Sequence, residues 1–202
     1  MNNLAELALK RLAEVVITTS SGRGLNPTKP EQTSIRNQLR LIDLEELSDF
    51  STNPSNFPKW LNAQTIAVKS TFLPRKKFGE YPHYGWGYAR KFANLFLAEA
   101  ARNYMLRERY HLDKIERILE IPLDSHVADA LSDASACGCT GSANLPEWSF
   151  IYKLAQNDSD DFQKFALDIA NRRDCARHDL DLLFWRRASI SNCPICNKTI
   201  KN

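Results

Sequence analysis

The sequence predicts an all-α fold with a short cysteine-containing C-terminal tail. Three observations carry this. Alternation of period two is nowhere sustained, so no half-buried strand stands out. Seven glycines and nine prolines in 202 residues are too few for a loop-rich or all-β chain. Apolar residues recur at helical spacing over most of the length.

The elements follow in order. Leu4, Leu7, Ala8, Leu12, Val15 and Val16 predict a helix over 3–17, and TTSSGRGLNPTKP over 18–30 is turn-rich. Ile35, Leu39, Ile42 and Leu47 predict a helix over 31–49, and WLNAQTIAVKSTFL another over 60–73. A basic, aromatic loop, PRKKFGEYP, leads to a long helix from Gly87 to about Arg109. Its KFANLFLAEAA stretch is apolar on almost every side, which places it in the middle of the molecule. Leu112, Ile115, Ile118 and Leu119 predict a short amphipathic helix that Pro122 ends, and Asp124 opens the next, which stops near Gly138. Three more helices are expected over 146–156, 159–173 and 176–188. The chain therefore divides into a helical domain, 1–188, and a CPxC tail, 189–202.

Composition narrows the function classes. A hydrophobic fraction of 43% can build a core, and a formal charge of +3 leans towards an anionic partner. No apolar run approaches the roughly 18 residues of a membrane span. Glu6, Lys10, Arg11 and Glu14 exclude a signal-peptide core in the first helix. Five cysteines make no disulfide framework, so the expectation is a cytoplasmic protein whose thiols are reduced or hold metal.

Two segments carry chemistry. In Gly85-Trp86-Gly87-Tyr88-Ala89-Arg90-Lys91 a glycine-containing turn feeds a helix with a lysine in its first turn. Helix N-termini present N–H groups and positive potential, which suits an anion such as a DNA phosphate. Burial, Arg90 and the helix end would all favour a neutral Lys91 amine, able to act as a nucleophile and form a Schiff base. In Leu123-Asp124-Ser125-His126-Val127 an aspartate follows a proline and opens an apolar helix, where it would hold a carboxylate as well as cap. Arg75, Lys76 and Lys77 lie among Phe72, Phe78, Tyr81 and Tyr84, a pattern suited to backbone neutralisation and base stacking. Trp86, Tyr88 and His126 are candidates for wedging or stacking a base.

Residues 87–94 resemble the hairpin motif of the helix-hairpin-helix DNA glycosylases, the endonuclease III superfamily, and residues 123–127 resemble its catalytic-aspartate motif. The order is the same, and the similarity spans residues 83–131. The resemblance implies a helical glycosylase fold, with Lys91 as Schiff-base lysine and Asp124 as essential aspartate of a bifunctional glycosylase and AP lyase. It implies DNA lying across the hairpin with the target nucleotide flipped out. The expected DNA contacts are Gly85, Gly87, Tyr88, Ala89, Arg90 and His126 of these motifs with Lys76 and Lys77 of the basic loop, and the expected species is a monomer on double-stranded DNA. Ala89 stands where the family has its second hairpin glycine. The long interval from Lys91 to Asp124 is more like the archaeal 8-oxoguanine glycosylases, and the four-cysteine iron–sulfur loop of endonuclease III is not visible.

Such a reaction requires no diffusible cofactor. The cysteines raise a separate question. Cys193-Pro-Ile-Cys196 is half of a zinc site. Cys175-Ala-Arg-His178 would put both side chains on one helix face as the other half, with Cys137-Gly-Cys139 as competitor; an iron–sulfur cluster is the weaker alternative. The helix around His178, Asp179 and Asp181 could instead line a base pocket, with Leu182, Leu183 and Trp185 packing inwards. The rival functions are a non-catalytic DNA-binding protein that only grips phosphate, and an interaction module built on the knuckle.

Overall fold

The computed structural model describes residues 2–20, 25–75, 84–184 and 192–199. Among these residues the chain is helical, with no strand and only two isolated bridges. No helix among them is long and apolar enough to cross a membrane. Lys76, Lys77, Phe78, Tyr81 and Trp185 lie outside the described residues.

The first half is built from α1 (Asn2–Ser20), α2 (Lys29–Arg40), α3 (Phe57–Lys69), α4 (Trp86–Arg102) and α5 (Tyr104–Tyr110). Helix α2 starts on a capping box: Thr28 accepts from the Glu31 amide while the Glu31 carboxylate accepts from the Thr28 amide. The same carboxylate takes Arg75 at 2.9 Å and the Leu73 amide at 3.0 Å, tying the approach to α4 back onto α2. These hydrogen bonds outweigh burial and hold the Glu31 carboxyl below its ordinary range. Arg75, expected to face phosphate, therefore already has an internal partner.

Helix α4 runs through the middle of the molecule, as its all-round apolarity requires. Ala89, Phe92, Ala93, Phe96 and Ala100 are fully buried, against α1, α3 and α5. The second half holds α6 (Ser125–Cys137), α7 (Gln156–Arg172) and the short α8 (Leu180–Phe184). Two buried clusters result. One joins α1 to α5 with Leu112, Ile115 and Leu119; the other joins Trp86, Ile121 and Leu123 to α6, α7 and α8. The chain crosses from one to the other along Leu119–Leu123.

Several elements depart from the sequence expectation. The helix expected to reach residue 49 stops at Arg40. Ile42 and Leu44 are both buried, an alternation no helix face supports, and the Asp43 carboxylate accepts the Glu45 amide in a local turn. A 3-10 helix, Glu46–Ser51, follows. Residues 112–119 form two 3-10 turns, because apolar spacing of three satisfies that period too. In place of a helix over 146–156 there is irregular chain ending in the 3-10 turn Ile151–Lys153.

That turn explains a glycine. A Cβ on Gly87 would lie 2.1 Å from the Ile151 carbonyl oxygen, a backbone atom. Gly87→Ala should lower stability by about 1–3 kcal/mol through this overlap, measured by urea denaturation. A wild-type midpoint would show that the turn moves aside freely.

Candidate active site

Lys91 and Asp124 meet. Lys91 Nζ donates to Asp124 Oδ2 at 3.0 Å, across a separation of 33 residues. Lys91 lies on α4, which belongs to the first cluster, and Asp124 opens α6, which belongs to the second. The pair therefore sits at the seam between the two cores. Both side chains keep an opening to solvent, 14% for Lys91 and 27% for Asp124.

Asp124 serves two roles through different atoms. Its backbone is extended, with φ −146° and ψ −175°, and Oδ1 accepts the Val127 amide at 3.1 Å as the N-cap of α6. The cap fixes the carboxylate plane and leaves Oδ2 for Lys91. The approach to Asp124 is fixed by side chains, since the stretch 119–123 has no regular secondary structure. Gln163 Nε2 donates to the Ile121 carbonyl at 2.7 Å, and its Oε1 accepts the Ile121 amide at 3.1 Å. Arg177 donates to the carbonyls of Ile118, Leu119 and Gln163 at 2.8, 3.0 and 3.2 Å. None of Gln163, Arg177 or Glu120 stands out by motif.

The start of α4 differs from expectation. The helix begins at Trp86, so Lys91 lies in its second turn, farther from the helix end. Gly85 supplies the turn at φ +84°, and a Cβ there would meet Phe72 at 2.9 Å. Gly85, Gly87, Tyr88 and Ala89 are buried, and the Tyr88 and Ala89 side chains pack into the interior. Burial pushes the Tyr88 phenol up to about 12. Trp86 donates to Asn62 at 3.2 Å from a buried position, which removes it as a wedge.

Arg90 is the clearest correction. It is 3% exposed and bonds the Glu120 carboxylate through two nitrogens, at 2.9 and 2.7 Å. It also donates to Thr65 at 3.1 Å and lies over the Trp86 ring at 5.4 Å. It cannot reach a phosphate, and its charge is matched by Glu120, so it is not a cationic neighbour acting on Lys91. Burial opposes the Glu120 charge, but Arg90, Arg177 and the Asn94 amide hold its carboxyl below the ordinary range. His126 remains exposed in the first turn of α6.

Asp181, on α8, joins the site electrostatically. Burial first, and the charge of Asp124 next, push its carboxyl up to about 6, while Arg102 and Lys91 oppose this. The folded chain then holds a proton that the unfolded chain has lost between about pH 4 and about pH 6, so Asp181 ionisation lowers stability as pH rises through that window. Asp181→Asn should raise stability at pH 7–8 by about 1 kcal/mol, given the partial exposure, and the gain should vanish below about pH 4. Melting temperatures across pH 4–8 check this; a gain that persists undiminished in acid contradicts it.

The cysteines group differently from the expected set. Ala176 is extended, with φ −74° and ψ 144°, and a 3-10 turn Arg177–Asp179 follows. This breaks the helix face that Cys175 and His178 were to share. His178 is buried, with burial lowering its pKa, and its carbonyl accepts from Arg102 at 2.9 Å. Neither residue joins the knuckle. Instead Gly138, at φ +68°, turns the chain after α6 so that Cys137 and Cys139 meet Cys193 and Cys196. All four sulfurs lie within 4.8 Å of one another, and the group could hold a metal ion. Local desolvation among the neighbouring sulfurs, and hydrogen bonds with them, push the thiol of the otherwise exposed Cys139 up to about 12, while the Lys198 amide draws Cys196 down to about 7.

A cleft of about 760 Å³ opens beside Lys59, Asn62, Arg117, Asp160 and Lys164, backed by the Arg90–Glu120 pair; Lys91 and Asp124 do not line it. No protein-family model matches the chain, and neither a curated protein nor a solved structure matches it.

Proposed function

We propose that the chain is a DNA glycosylase with associated AP lyase activity, built on a helix-hairpin-helix glycosylase-like fold. One observation carries the reading: the amine of a partly buried lysine lies 3.0 Å from a carboxylate that a helix cap holds in place. The order and flanks of the two motifs support it. Lys91 hands a proton to Asp124 and attacks C1′ of an extruded nucleotide. The new C1′–N bond forms as the bond to the base breaks, and the base leaves with that electron pair and takes up a proton. Opening of the sugar ring gives the imine. Loss of the C2′ proton then expels the 3′-phosphate by β-elimination. Asp124 accepts the first proton and stabilises the positive charge that develops at the sugar.

A duplex with a single abasic site tests the lyase half without knowing the target base, because the aldehyde is already present. Borohydride should trap a covalent protein–DNA adduct, and a panel of duplexes with single modified bases should then identify the excised one. Asp124→Asn keeps a good N-cap, so stability should change by less than about 1 kcal/mol. Excision should fall by about 10²-fold or more. Full excision by this variant would reduce Asp124 to a cap.

A further inference from the structure

We propose that Cys137, Cys139, Cys193 and Cys196 form a closed, mononuclear zinc site that clips the C-terminal tail to the far end of the helix opened by Asp124. The size of the cage argues for one ion. Zinc–thiolate bonds of about 2.3 Å in a tetrahedron place the sulfurs about 3.8 Å apart. Here Cys137–Cys196 and Cys139–Cys193 are each 3.5 Å apart, and every pair falls within 4.8 Å. An iron–sulfur cluster would set its own iron and sulfide core between the thiolates and spread them farther. Among single ions, a tetrahedral four-sulfur cage suits zinc or iron, and zinc binds such ligands more tightly than ferrous iron.

The surroundings are arranged for thiolate charge. The Ile195 amide points at Cys193 Sγ at 3.4 Å, and the Lys198 and Cys139 amides donate to the sulfurs of Cys196 and Cys137. The knuckle is closed by Cys193 N–H to Lys198 O at 2.8 Å and by Asn197 at φ +59°. Four thiolates on one divalent ion leave two negative charges. Arg173 reaches the knuckle, donating to the Ile195 carbonyl at 3.4 Å, and the Arg172 guanidinium lies beside Gly141.

All four positions around the ion are protein sulfurs, so the site is structural, with no place for water or substrate. Helix α6 has 13 residues, which puts the ion about 20 Å from Asp124. The clip closes the chain around α7 and α8, and so restrains the element that carries Asp181. The proposal does not depend on the DNA reading, and its test reads metal alone.

Full-length protein, expressed with zinc and iron both supplied, should contain about one zinc per chain and negligible iron by elemental analysis. Mercurial titration of the folded protein should release that zinc to a chromogenic chelator. Cobalt substitution should give the intense visible bands of a tetrahedral tetrathiolate. Cys137→Ser/Cys193→Ser should lose the metal, and Cys175→Ser should keep it. If the double variant does not fold, the titration and the cobalt spectrum still decide. Metal-free protein with readily titrated thiols, disulfides among the four, bound iron in place of zinc, or loss of zinc in Cys175→Ser would each overturn the assignment.

Discussion

Lys91→Gln should abolish borohydride trapping on an abasic duplex while leaving the protein folded and bound to DNA. The expected loss of excision is at least about 10³-fold, since among the described residues Lys91 is the amine bonded to the capped carboxylate. Stability should move little. A half-open ion pair contributes about 1 kcal/mol or less, and Asp124 keeps its bond to the Val127 amide. Gel-shift affinity separates chemistry from binding. Trapping that survives the substitution would transfer the nucleophile elsewhere; binding without trapping in the wild type would favour the rival that only grips phosphate.

Removing one half of the Arg90–Glu120 pair should have the largest effect on stability. Glu120→Gln and Arg90→Met should each cost about 3–5 kcal/mol, because each strands a buried opposite charge. The double variant Arg90→Met/Glu120→Leu should be more stable than either single one, the signature of a desolvated pair whose members mainly compensate each other. The pH dependence has a defined sign. The Glu120 carboxyl is held below its ordinary 4.5, so its contribution is complete above that value and disappears as pH falls through the depressed one. Additive costs in the double variant would show that the two charges have independent partners.

The readable and unreadable parts of the chain divide on physical grounds. Helix α4 was legible because apolar residues occupy all its faces, and only a central helix tolerates that. Asp124 was legible because a cap after a proline is a local signal. Arg90 was misread for the same reason: beside Lys91 it looks like a phosphate contact, and nothing nearby names a partner thirty residues on. The missed signal was Glu120 itself. A carboxylate inside Ile118-Leu119-Glu120-Ile121-Pro122-Leu123 must be paired if that run is buried. The ligand set failed on a backbone detail, the extended Ala176, which composition does not encode. Half of the four-cysteine group, Cys193 and Cys196, is legible because a knuckle is local; Cys137 and Cys139, which the sequence offers only as the competing half, depend on how the chain turns at Gly138.

Lys91 and Asp124 are anchored in separate buried clusters, and this makes their distance a readout of cooperativity. Amide hydrogen exchange should resolve the two clusters as units of different protection, each with its own opening equilibrium. Reactive geometry exists only in molecules where both are shut. Under the proposed function, a mutation that loosens either core should abolish borohydride trapping at temperatures well below the melting point, with most of the secondary structure still in place.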